Sequence, residues 1–136
     1  MSDREYQQAL EVFYSAVEKA QIARDTEGML ATMSEDIVLL APDTPALIGK
    51  TAVRGYYQSA FAAFAVEGHH KPEWTSVQGD VVLQWGRYSG SMKPIAGGNA
   101  IPLNSRFLFV FRREPSGKLL MWRAMMNYEA PPSPPK

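Results

Sequence analysis

The chain opens on an apolar stripe. Tyr6, Leu10, Phe13, Val17 and Ala20 recur at alternating four- and three-residue steps, a spacing that lines up one face of an α-helix. Glu5, Gln8, Glu11, Glu18 and Lys19 fall mostly off that stripe, so the pattern predicts an amphipathic helix from about Asp3 to Ala23. Tyr14 borders the stripe, its ring placed to pack and its hydroxyl to reach sideways. Asp25 suits the N-cap of a second, short helix, because its carboxylate can accept a first-turn backbone N–H. That helix would carry Met29, Leu30 and Met33 inward and stop near Ser34-Glu35.

Asp36 to Ala41 is β-branched and apolar and is closed by Pro42-Asp43-Thr44-Pro45, which predicts a short buried strand and a turn. A third helix is expected from about Thr51, with Val53, Tyr56, Tyr57, Ala60, Phe61 and Phe64 at helical spacing, ending before Gly68. Gly55 within it costs about 1 kcal/mol relative to alanine, a deficit that packing must offset. After Pro72 the period changes to two: Glu73–Gln78 and Val81–Ser91 form strands joined at Gly79-Asp80. A loop at Ala96-Gly97-Gly98-Asn99 leads to a strand from Leu103 to Arg113. There Phe107, Phe109 and Phe111 alternate with Leu108 and Val110, so both faces are apolar. Glu114-Pro115-Ser116-Gly117 then turns the chain into a last strand, Lys118–Tyr128. Helices followed by consecutive hairpins make an α+β fold, with the helices on one face of a mostly antiparallel sheet.

Composition narrows the function more than the fold. The 136 residues are 46% hydrophobic and 21% charged, a globular balance. Fourteen basic residues offset fourteen acidic ones, which argues against a nucleic-acid partner, since phosphates call for a concentrated positive field. No run of apolar residues is long enough for a membrane span. The first residues have mixed charge and do not read as a secretory signal. The absence of cysteine excludes disulfides and thiolate chemistry and suits a cytoplasmic protein. The expected organisation is a single domain over 1–130, with the proline-rich 131–136 as an extended, disordered tail.

Candidate chemistry is sparse. Asp36, at a strand entrance, suits a cap or an acceptor of backbone N–H groups, with a catalytic role as the alternative. His69-His70 beside Glu67 reads as a solvated loop before Lys71-Pro72, not as a metal site, because adjacent histidines point apart. Asp80 is a turn residue, and Arg112-Arg113 a solvated rim. Gly97-Gly98 lacks the strand and helix of a phosphate cradle. Trp85 and Arg87 share one face of a strand; inward they would line a pocket, outward they would pair in the sheet face. No metal or cofactor is expected.

The order of these pieces resembles the NTF2-like superfamily, in particular its SnoaL-like and ketosteroid-isomerase-related (DUF4440-type) domains. The likeness is carried by Asp25, Ser34-Glu35-Asp36-Ile37-Val38, Gly49-Lys50-Thr51-Ala52-Val53-Arg54, Gln78-Gly79-Asp80, Phe107 through Arg113, Gly117 and Asn127, across residues 5 to 128. The resemblance implies a cone: three N-terminal helices on a strongly curved sheet, an apolar pocket at the open end, and a homodimer through the sheet face. The pocket would collect Tyr14, Leu39, Ala41, Phe61, Trp85, Asn104, Arg106, Trp122 and Met126, with Ile37 and Phe64 as further candidates. In ketosteroid isomerases a carboxylate base works with a tyrosine and a protonated acid. The position implied for the base is Ala41, and an acid–base position in the last strand is Ala124. Tyr14 and Asn104 lie near the implied hydrogen-bond donors. The expectation is a small, largely apolar molecule in the cone, with polarisation-assisted isomerase or cyclase activity if any. Tyr14, Asp36 and Asn104 are the candidate catalytic residues. The alternative is a non-catalytic dimerisation or interaction module with a packed, closed cone.

Overall fold

The computed structural model describes residues 1–129, and the proline-rich segment predicted as a tail lies outside the described residues. Helix α1 spans Asp3–Ala23 and buries Tyr6, Leu10, Phe13, Val17 and Ala20, the five positions of the apolar stripe. The Ser2 hydroxyl accepts the Glu5 N–H at its start, and Arg24 in the left-handed region (φ 52°) ends it. Helix α2, Thr26–Leu30, is capped by Asp25, whose carboxylate accepts the Gly28 N–H. It is shorter than expected. The Thr32 hydroxyl donates to the Met29 carbonyl at 2.6 Å and closes the turn, so Met33 already belongs to strand β1, Met33–Leu40. A two-residue strand β2, Leu47–Ile48, pairs with β1 and was not signalled by the sequence pattern.

The larger departure follows helix α3, Lys50–Ala63. No loop separates it from the sheet: strand β3 runs from Phe64 to Gln78, nine residues earlier than the expected Glu73. Phe64, Val66, Gly68 and His70 are half-buried and alternate with exposed Ala65, Glu67, His69 and Lys71, the two-residue period of a strand with one face covered. His69-His70 is therefore part of a strand and not a solvated loop. Pro72 is tolerated because β3 lies at the edge of the sheet, where the missing N–H breaks no ladder. The ladder with strand β4, Val81–Pro94, is irregular between Pro72 and Trp74. Gly79 takes the positive φ (62°) of the connecting turn.

Strands β5, Ile101–Arg113, and β6, Leu119–Tyr128, complete a curved six-stranded sheet in the order β2-β1-β6-β5-β4-β3. All neighbours are antiparallel except β1 and β6. The helices pack on the concave face. Phe13 of α1 meets Phe111 edge-on at 4.7 Å and Phe109 at 6.2 Å, and these rings anchor the core with Met33, Ile37, Leu39, Val53 and Val82. The convex face keeps Trp74, Trp85, Leu108 and Met125 exposed. No helix among the described residues is long and apolar enough to cross a membrane.

Candidate functional site

Helix α3, the ends of β3 and β4, and the inward residues of β5 and β6 line an open-sided cavity of about 740 Å³. Its wall is largely aromatic: Tyr56, Tyr57, Phe61 and Phe64 from the helix side, and Tyr88, Phe107, Phe109 and Tyr128 from the sheet. Met92 and Met126 add flexible apolar surface. A site of this size and character falls in the range of ordinary small-molecule pockets, about 300–1,000 Å³.

One titratable nitrogen base sits in that wall. His70 points inward from β3, its side chain 6% exposed, between the rings of Tyr14 at 5.0 Å and Tyr88 at 4.8 Å. Glu18 reaches across from α1. Its Oε2 accepts both the His70 backbone N–H and the Nδ1 hydrogen, each at 2.9 Å. The other oxygen, Oε1, lies 2.9 Å from Nδ1 of His69. Burial would raise the Glu18 pKa, but the hydrogen bonds from His70 and His69 outweigh it and hold the group below the usual carboxylate range. An ionised carboxylate only accepts, so Nδ1 of His70 carries the hydrogen. Burial depresses the His70 pKa, against the opposing pull of Glu18. The neutral ring then leaves Nε2 bare, and Nε2 has no hydrogen-bond partner among the described residues. A buried imidazole oriented by a carboxylate, with a free nitrogen, is built to accept a proton.

Phenols supply the donors. Burial raises the Tyr57 pKa far above its ordinary value and that of Tyr88 to about 12, so both stay protonated. The Tyr88 hydroxyl donates to Oε1 of Gln21 at 3.1 Å. Tyr57 has no protein partner among the described residues and faces the cavity. On the far side of His70, Tyr14 donates to Oε1 of the buried Gln84, whose amide donates to Thr75 Oγ1 at 2.8 Å. That network belongs to a second, more polar groove between α1 and the β3–β4 hairpin, and His70 forms part of the wall of both spaces.

The sequence-derived candidates divide by strand face. Phe61 and Met126 line the cavity, as does Phe64. Tyr14 lines the groove behind His70. Leu39, Ala41 and Ile37 are buried in the core under the helices, not at the cavity wall. Asn104 and Arg106 face out, because Leu103, Ser105 and Phe107 hold the inward positions of β5. A one-residue difference in register exchanges the two faces, and the inward polar group is Ser105. Trp85 and Arg87 also face out: Trp85 is opposite Trp74, and Arg87 pairs with Glu129 at 3.3 Å. Trp122 lies on the outside between the guanidiniums of Arg112 and Arg123, at 5.2 and 4.5 Å.

Asp36 belongs to that outer cluster. The nearby Ser34 hydroxyl, the Trp122 indole N–H and Arg112 hold its carboxyl at about 2, the latter two bonded at 3.2 and 3.1 Å. It is exposed, does not line the cavity, and is ionised near neutral pH. Ala41 and Ala124 are both buried, so neither implied acid–base position offers a titratable group. The group that does, His70, comes from β3, from a stretch that reads in sequence as a loop. The alternation Phe64, Val66, Gly68, His70 was the available signal.

A long helix laid into a bent sheet, with a hollow under a second helix, defines the NTF2-like class. The chain belongs to the SnoaL-like domain family, which matches residues 10–121. No curated protein matches it. Solved structures share the fold at low identity. A ketosteroid isomerase-like protein from Erwinia carotovora atroseptica SCRI1043 is 22% identical with a TM-score of 0.81, over 91% of this chain and 96% of that one. A proposed dehydratase of the NTF2-like family from Streptomyces avermitilis is 18% identical with a TM-score of 0.82, over 96% and 100%. ActVI-ORFA from Streptomyces coelicolor is 17% identical with a TM-score of 0.71, over 91% and 97%.

Proposed function

We propose that the cone binds a small, largely apolar carbonyl compound and that His70 moves a proton on it, in an isomerisation, cyclisation or elimination. The observation that carries this reading is the free Nε2 of an imidazole fixed by Glu18 in the wall of an aromatic cavity. The carbonyl would accept a hydrogen bond from a cavity phenol, with Tyr57 the leading candidate, and the adjacent C–H would lose its proton to Nε2. Charge developing on the carbonyl oxygen is stabilised best by a donor already in place in a water-poor site. A closed interaction module is disfavoured by the cavity volume, more than twice the lower limit of about 300 Å³ for ligand sites.

The test is a panel of hydrophobic enones and ketones incubated in D2O with the protein. Deuterium should enter the carbon beside the carbonyl, and His70→Gln should slow that exchange by about 10²–10⁴ while leaving binding intact. A bound compound at 100 times its dissociation constant should stabilise the fold by about 2.7 kcal/mol. A panel that neither binds nor exchanges would refute the proposal. The exposed convex face favours a homodimer through the sheet as the working unit.

A further inference from the structure

For solvent deuterium to enter the substrate, the proton that His70 takes must exchange with water, and the cavity offers it a poor route. His70 is walled by aromatic rings on the cavity side, and a bound apolar compound would displace solvent there. The polar groove lies behind it, between α1 and the β3–β4 hairpin, lined by Glu11, Glu18, Thr75 and Gln84 as well as His70. Adjacent strand residues point to opposite faces, so His69 projects outward, yet Glu18 bridges the two histidines with one oxygen each. Side-chain exposure rises along this row from 6% at His70 through 19% at Glu18 to 88% at His69.

We propose that His70, Glu18 and His69 form a proton relay from the cone cavity to solvent, with His69 as its outer end. The inference rests on the reading of His70 as the base. His69 touches no ligand and acts through Glu18, as a positioning residue.

The steps conserve atoms and charge. A substrate C–H proton passes to Nε2 of His70, leaving its electron pair on the substrate as an enolate. The imidazolium releases its Nδ1 hydrogen to Oε2 of Glu18. The exposed His69 ring, which at rest donates its own Nδ1 hydrogen to Oε1, first exchanges that hydrogen through water for one on Nε2. The carboxyl then turns about its Cγ–Cδ bond and presents its hydrogen to the bare Nδ1 of His69, and Nε2 releases a proton to water, restoring the resting tautomer. Return of a proton along the same row reloads the site. No oxidant or reductant is involved. A clamp holding α1 to β3 would need only the His70 contacts. The second carboxylate oxygen on an exposed histidine adds little stability, as surface pairs do, but it completes the row.

The test reads the relay without substrate. In the full chain with ¹⁵N-labelled histidine, NMR measures exchange of the His70 Nδ1 hydrogen with water near neutral pH. His69→Gln should slow that exchange on the order of tenfold or more, and free imidazole should restore it. His69→Ala, which leaves room for imidazole beside Glu18, should be slowed and restored in the same way. Unchanged exchange in both variants would overturn the proposal. So would a slowed rate that imidazole does not raise, because that marks a purely structural contact. Failure of the ketone assay with the relay intact would instead refute His70 as the catalytic base.

Discussion

At His70 two effects oppose each other. Burial disfavours the charged ring, Glu18 favours it, and burial prevails, leaving the folded pKa below the ordinary histidine value. Below about pH 6.5 the unfolded chain binds a proton that the folded imidazole resists, so the folded state loses stability as pH falls through that value. Glu18 contributes in the same direction at lower pH. Its folded pKa is depressed, so its contribution is present above the ordinary carboxylate range and is lost as pH falls through it. Urea unfolding from about pH 7.5 down to about pH 5.5 should show wild type losing stability. His70→Gln should flatten that loss, and an equal slope in the variant would contradict the assignment. Asp36 belongs to a different problem: exposed, held at about 2 and bonded to Trp122 and Arg112, it secures the convex face, and Asp36→Asn should leave proton exchange in the cavity unchanged.

Among the elements, the β3–β4 hairpin shapes the cone, and its strands approach closely at glycines. A Cβ built on Gly90 would strike the Glu67 carbonyl and lie 2.7 Å from Gly68 Cα, both backbone atoms that cannot swing away. Gly90→Ala should therefore destabilise the fold by about 1–3 kcal/mol, read as a lower urea midpoint; an unchanged midpoint would show that the hairpin is looser. The same hairpin shows what was legible beforehand. The stripe of α1 was, because five apolar residues at helical steps admit one reading, and all five are buried. The α3–β3 junction was not: Phe61 and Phe64 are three apart and extend the helical spacing, yet Phe64 starts a strand. Local spacing cannot tell the last turn of a helix from the first inward residue of a strand when no loop intervenes. With no loop at Ala63/Phe64 to mark the change of period, nothing local places His70 on an inward strand face. On β5 both faces are apolar, so the alternation alone does not fix which face is inward, and Ser105 stands where Asn104 or Arg106 is expected.

The whole molecule presents two apolar surfaces with different expected occupants. The convex face exposes Trp74, Trp85, Leu108 and Met125, and a second copy would cover them with an interface of about 800 Å² per partner. Sedimentation should find a dimer, and Trp85→Glu should yield a folded monomer; a monomeric wild type at micromolar concentration would contradict this. The proposed occupant of the concave hollow is a ligand, and everything proposed for it depends on the state of one imidazole. ¹⁵N NMR of the histidine rings near neutral pH reads that state directly. The expected result is a neutral His70 with hydrogen on Nδ1, a bare Nε2, and a shift of the Nε2 signal when a hydrophobic ketone binds. A His70 that is doubly protonated, or that carries its hydrogen on Nε2, would contradict it.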